Sequence, residues 1–114
     1  MKNGYQLLIT LTNTLNSNEN IIKELLKNGK ETFSKNEKKI MIGVSIIKEI
    51  ENILIDIDKE IFILNKNLYE KVTSIINYSK HIFNNYHIVN SYKLYDVLNI
   101  DVIELKTFLN QINN

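Results

Sequence analysis

The chain has 114 residues, 44% of them hydrophobic and 24% charged, and a formal net charge of +1. That length predicts one domain, and the frequent apolar residues argue against disorder. No disulfide scaffold or thiolate metal site is possible without Cys, and so small a net charge provides no global field to recruit nucleic acid or anionic lipid. Pro, Trp, Arg and Ala are also absent, while Ile, Asn and Lys dominate, a composition that looks like the output of an AT-rich genome, as in many bacteria.

Three-and-four spacing of apolar residues runs through most of the chain and predicts helices. The first helix is expected from about Tyr5 to about Lys27, on a seam of Leu8, Leu11, Leu15, Asn18, Ile22 and Leu25. Asn18 interrupts that seam, so a kink or restart is expected there. Gly29 stands where a left-handed C-terminal cap belongs. The opening stretch has one basic residue and a weakly apolar run broken by Thr10, Thr12, Asn13 and Thr14. A signal peptide is therefore not expected. No uncharged apolar run reaches the length of a transmembrane helix.

The second helix is predicted to start at Ser34, which forms a capping box with Glu37. Its seam is Ile40, Gly43, Ile47, Ile50, Leu54, Ile57, Ile61, Leu64 and Leu68. A stop near Leu64 is expected, with a split near Asp56-Ile57-Asp58 as the alternative. Gly43 sits in the interior of this seam, where glycine costs about 1 kcal/mol relative to Ala. A neighbouring group is therefore expected to approach closely there. The third helix restarts at Asn67, three residues before Glu70, with Leu68, Val72, Ile75, Ser79, Ile82 and Tyr86 on its seam. The turn is Asn84-Asn85-Tyr86-His87. The fourth helix is capped by Asn90 or Ser91 and carries Tyr95, Leu98, Val102, Leu105, Leu109 and Ile112. Short polar loops between four such helices predict an all-α, antiparallel up-down four-helix bundle spanning residues 1–114.

Little in the chain suggests chemistry. His81 and His87 are six residues apart, whereas two ligands on one helical face need a spacing of three or four. The acids Glu49, Glu51, Asp56, Asp58 and Glu60 lack both the Glu-x-x-His pairs of a di-iron bundle and the glycine of a calcium loop. They read as a solvated face. Lys23, Lys27, Lys30, Lys35, Lys38 and Lys39 cluster around the first loop. Without Arg they offer no bidentate guanine readout, so nucleic acid is not expected. A membrane surface is possible but not favoured. Tyr78, Phe83, Tyr86, Tyr92 and Tyr95 read as an aromatic cluster closing the third turn. Asp101 lies beside the last seam, and a slight rotation of the helix places it at the boundary rather than in the core. No cofactor or metal is expected, and no enzyme activity.

The stretch Asp96-Val97-Leu98-Asn99-Ile100-Asp101-Val102 resembles the final helix of a group of short uncharacterised helical proteins of clostridia-like bacteria, with a pattern like D-[ILV]-L-E-Y-E-[LI]. Some of them sit near flagellar genes. Asp96, Leu98 and Val102 fit, Asp101 is a conservative match, and Asn99 and Ile100 depart. The resemblance implies a cytoplasmic helical protein without known enzyme activity, and it transfers no site. In size and helicity the chain is also similar to flagellar and secretion export chaperones and to bacteriocin immunity proteins.

The functional expectation is a chaperone- or adaptor-like protein that acts through contacts with another protein or a second copy. The alternative is an immunity protein at the inner membrane face. On a wheel of about 100° per residue, Val44, Ile55 and Phe62 fall roughly 120° from the seam of the second helix, beside Glu51 and Lys59. These three are the expected partner-binding residues if they are exposed.

Overall fold

The computed structural model describes residues 4–57, 66–84 and 90–112, and every regular element within them is helical. The all-α expectation therefore holds for the described chain. Helices α1 (Gly4–Ser17) and α2 (Glu19–Leu26) replace the single first helix. They meet at Asn18, which is buried, and its Nδ2 donates to Thr14 O at 2.8 Å. Such a bond offers the side chain a partner on the helix itself, and the Asn18 backbone, at φ −93° and ψ 0°, departs from regular helix there. The backbone ladder continues across the junction, from Asn18 N to Thr14 O and from Ile22 N to Asn18 O.

Gly29 has φ +86°, the left-handed conformation that only glycine adopts cheaply. It reverses the chain into a short helix, α3 (Gly29–Ser34), which seam spacing did not predict. This helix brings Phe33 into the core, fully buried. It also corrects the predicted cap. Ser34 is already helical, and its Oγ donates back to Glu31 O at 2.9 Å. Asn36, in an extended conformation, caps α4 (Glu37–Leu54) instead, its Oδ1 accepting from Lys39 N at 3.0 Å.

Helix α4 buries Gly43, Ile46, Ile47, Ile50 and Leu54 on one stripe. It ends ten residues before the expected stop at Leu64 and beside the alternative break at Asp56-Ile57-Asp58. Asp56 N and Ile57 N bond to Ile53 O and Leu54 O, the tightened last turn of a helix end. Asp at the negative end of the helix dipole opposes extension, and Ile57 turns inward to become buried. Ile61 and Leu64, the next seam positions, lie outside the described residues.

Helix α5 (Lys66–Asn84) buries Leu68, Val72, Ile75, Tyr78 and Ser79. Of the two expected caps, Asn90 takes the position at the start of the last helical stretch, its Oδ1 accepting from Lys93 N at 3.1 Å, and Ser91 is the first helical residue. That stretch begins as α6 (Ser91–Asp96), runs through a π-helical segment (Val97–Val102) and ends as α7 (Ile103–Ile112). Helix α4 packs on α1 and α5, and α7 packs on the same two helices from the other side, while α3 lies against α6. Leu11, Leu15, Phe33, Ile47, Ile50, Ile75, Leu94, Leu98, Leu105 and Leu109 form the fully buried centre.

The π segment decides where Asp101 goes. Fully buried Leu94, rather than half-buried Tyr95, leads the inward face of α6. The inward face of α7 is Leu105 and Leu109. A π-helical turn spans one residue more than an α-helical turn. The wider turn lets Val97, Leu98, Asp101 and Val102 all face inward. Asp101 is thus 7% exposed, not at the boundary where a uniform α-helix would have left it.

Candidate functional site

A groove of about 280 Å³ opens between the end of α4 and one face of α5. Leu54, Ile57, Val72 and Ile76 make it apolar, and Thr73, Asn77 and Lys80 give it a polar side. Ile55 and Tyr69 stand at its rim, 52% and 36% exposed. On α5 the lining residues Tyr69, Val72, Thr73, Ile76 and Lys80 follow the three-and-four spacing of one helical stripe. On the α4 side, Glu51 lies one turn before Ile55, and Asp56 follows it, exposed. That edge is acidic.

The expected partner-binding residues are distributed unequally. Ile55 is exposed and belongs to the groove. Val44 is partly buried and packs against the core three turns earlier on α4. Phe62 lies outside the described residues. Tyr69 and Ile76 were not read from the sequence as site residues. Their signal is present as a second apolar line one step aside from the Leu68, Val72, Ile75 seam.

A second, polar cluster surrounds Asp101. Ser74 Oγ donates to Asp101 Oδ2 at 3.1 Å, and Lys71 Nζ stands 3.2 Å from Asp101 Oδ1. Lys71 also reaches Glu104 Oε2 at 3.7 Å. The hydrogen bond to Asp101 raises the Lys71 ammonium above its usual range, despite partial desolvation. The pairing with Asp101 thus favours the charged form of Lys71. Both Asp101 oxygens accept from these two side chains. The cluster ties α5 to the π segment and borders an open hollow of about 360 Å³ with Glu70, Lys93, Asp96 and Ile100.

The remaining sequence candidates scatter. His81 is exposed, and His87 lies outside the described residues. Among the described residues, no three His, Cys, Asp or Glu side chains come together as metal ligands. Lys30 pairs with Asp96 at 2.8 Å and lies 5.8 Å from the Tyr95 ring centre. Lys27, Lys35 and Lys38 are exposed. Of the expected cluster, the three described members, Tyr78, Tyr92 and Tyr95, each find a separate partner. Tyr95 meets Phe33 edge-on at 5.7 Å, Tyr92 donates to Glu31 Oε1 at 3.0 Å, and Tyr78 donates to Asn90 O at 3.1 Å. The first two contacts clasp α3 to α6. Phe83 and Tyr86 side chains are outside the described set. No helix among the described residues is long and apolar enough to cross a membrane.

Comparison with protein-family models, with curated proteins and with solved structures finds no match for the chain.

Proposed function

We propose that this chain is a non-enzymatic, cytoplasmic protein that works by holding an amphipathic helix of another protein in the groove between α4 and α5. In this reading α1–α2, α4, α5 and α6–α7 are the four legs of an antiparallel up-down bundle, and the groove lies on its outer surface. The observation that carries the proposal is the pair Ile55 and Tyr69, large apolar side chains left 52% and 36% exposed above an apolar floor. Grooves of this kind take apolar anchors spaced three and four apart on a partner helix. Glu51 and Asp56 on the α4 edge favour a partner helix with basic residues beside its anchors.

The test is capture of partners from the native cell by the wild-type chain and by an Ile55→Glu, Tyr69→Glu double variant. Because both residues are exposed, the variant should melt within a few degrees of wild type. A partner held by wild type and lost by the variant supports the groove. A partner held equally by both places the contact elsewhere, and a variant that fails to fold assigns Ile55 and Tyr69 to the core. Sedimentation of both proteins tells a partner helix from a second copy of this chain.

A further inference from the structure

A smaller hollow, about 110 Å³, lies between α2 and the junction of the π segment with α7, away from the α4–α5 groove. Leu15, Ile22, Leu26, Val102 and Ile103 line it, and its charged residues are Glu19, Lys23 and Lys106. Leu15, Ile22 and Val102 are buried, while Ile103 is 39% exposed, so the apolar wall reaches the surface. Glu19 Oε1 stands 2.9 Å from Lys106 Nζ and 3.2 Å from Lys23 Nζ. Two ammonium groups share one carboxylate oxygen, which leaves a surplus positive charge beside an apolar cavity.

Each ammonium carries three N–H donors. Glu19 takes one from each, and among the described residues no other carboxylate pairs with either lysine, which leaves donors for water or a second anion. The complement of such a site is an aliphatic group that ends in a negative charge. Size narrows the choice. An apolar cavity of about 150 Å³ takes up benzene, so this one suits a chain of about four or five carbons. A planar carboxylate accepts from two ammonium groups at once.

We propose that this hollow binds a short aliphatic carboxylate, its chain among Leu15, Ile22, Leu26 and Val102 and its carboxylate on Lys23 and Lys106. Such a group occurs as a free short-chain acid or as the last residue of a peptide chain. Nothing in the proposal depends on the partner groove, which shares no residue with this site.

Amide resonances of the full chain, titrated with 4-methylpentanoate and with N-acetyl-leucine, test it. Saturable shifts are expected around Ile22, Leu26 and Val102 to Lys106 with at least one of them. The tighter ligand identifies the source. The neutral amide 4-methylpentanamide should bind several-fold more weakly. Glu19→Gln removes the competing carboxylate and should tighten binding roughly threefold, whereas Lys106→Met should weaken it by a similar factor. These opposite signs distinguish an anion site from a merely greasy cavity. The proposal is overturned by the absence of saturable shifts with both acids, by equal binding of the neutral amide, or by Glu19→Gln leaving affinity unchanged or lower.

Discussion

Gly43 on α4 faces Leu98 in the π segment so closely that a Cβ added to the glycine would lie 3.1 Å from Leu98 Cδ1. Leu94 Cδ2 and Phe33 Cζ would be 3.3 and 3.5 Å away. All three neighbours are fully buried, so none can swing into solvent. Gly43→Ala gains about 1 kcal/mol of helix propensity, but overpacking a dense core costs about 1–3 kcal/mol. The net expectation is a loss of about 1 kcal/mol in urea unfolding. A variant more stable than wild type would show that Leu94, Leu98 and Phe33 yield without strain.

The pair Lys71 and Asp101 should behave asymmetrically. Lys71→Met leaves the 7% exposed Asp101 without its counter-charge and should cost about 1–3 kcal/mol. Asp101→Asn keeps an acceptor for Ser74 and should cost less. Replacing both partners with apolar residues, Lys71→Met with Asp101→Leu, should recover most of the loss, because both desolvated charges are gone. A double-mutant cycle by chemical denaturation measures the coupling. Additive losses would mean that the two residues act independently.

Capping of α4 separates two neighbouring residues. Asn36→Ala removes the acceptor for Lys39 N and should cost about 1 kcal/mol. Ser34→Ala removes only a bond back to Glu31 O and should change stability by less than about 0.5 kcal/mol. The reverse order in thermal melts would restore the capping box predicted at Ser34.

Alkaline pH should expose Tyr78. Burial pushes its phenol up to about 12, whereas in the unfolded chain it titrates near about 10. Between those values the native chain keeps a proton that the unfolded chain has lost, so stability falls as pH rises. The contribution is about 1 kcal/mol per pH unit within that window, below the limit of about 1.4 for one whole proton. Tyr78→Phe should lose stability less steeply over the same range, since the lysine titrations are common to both proteins. Parallel slopes would mean that Tyr78 ionises freely in the folded state.

Several features were legible in the sequence because they are local. Seam spacing located every helical stretch but α3, Asn90-Ser91 marked the start of the last one, Gly29 marked a left-handed residue, and Asn18 marked a restart. Gly43 was legible as a close approach because a glycine within an apolar stripe needs a reason. Ile55 was legible as an apolar group off the seam. The other rim residues were harder to read, since Tyr69 and Ile76 lie one step from a stronger line.

Only the tertiary structure decided the rest. Phe33 draws residues 29–34 into a helix because the core beside Tyr95 and Gly43 has room for its ring, and that helix turns Ser34 from a cap into an interior residue. Helix α4 ends at Leu54, and Ile57 just beyond it is buried against the core. Asp101 is buried because the last helix must present Leu94 to one set of neighbours and Leu105 to another. A periodic pattern specifies the angle between side chains on one helix. Which of two adjacent faces turns inward, and where an extra residue is absorbed, depends on the surfaces packed against it.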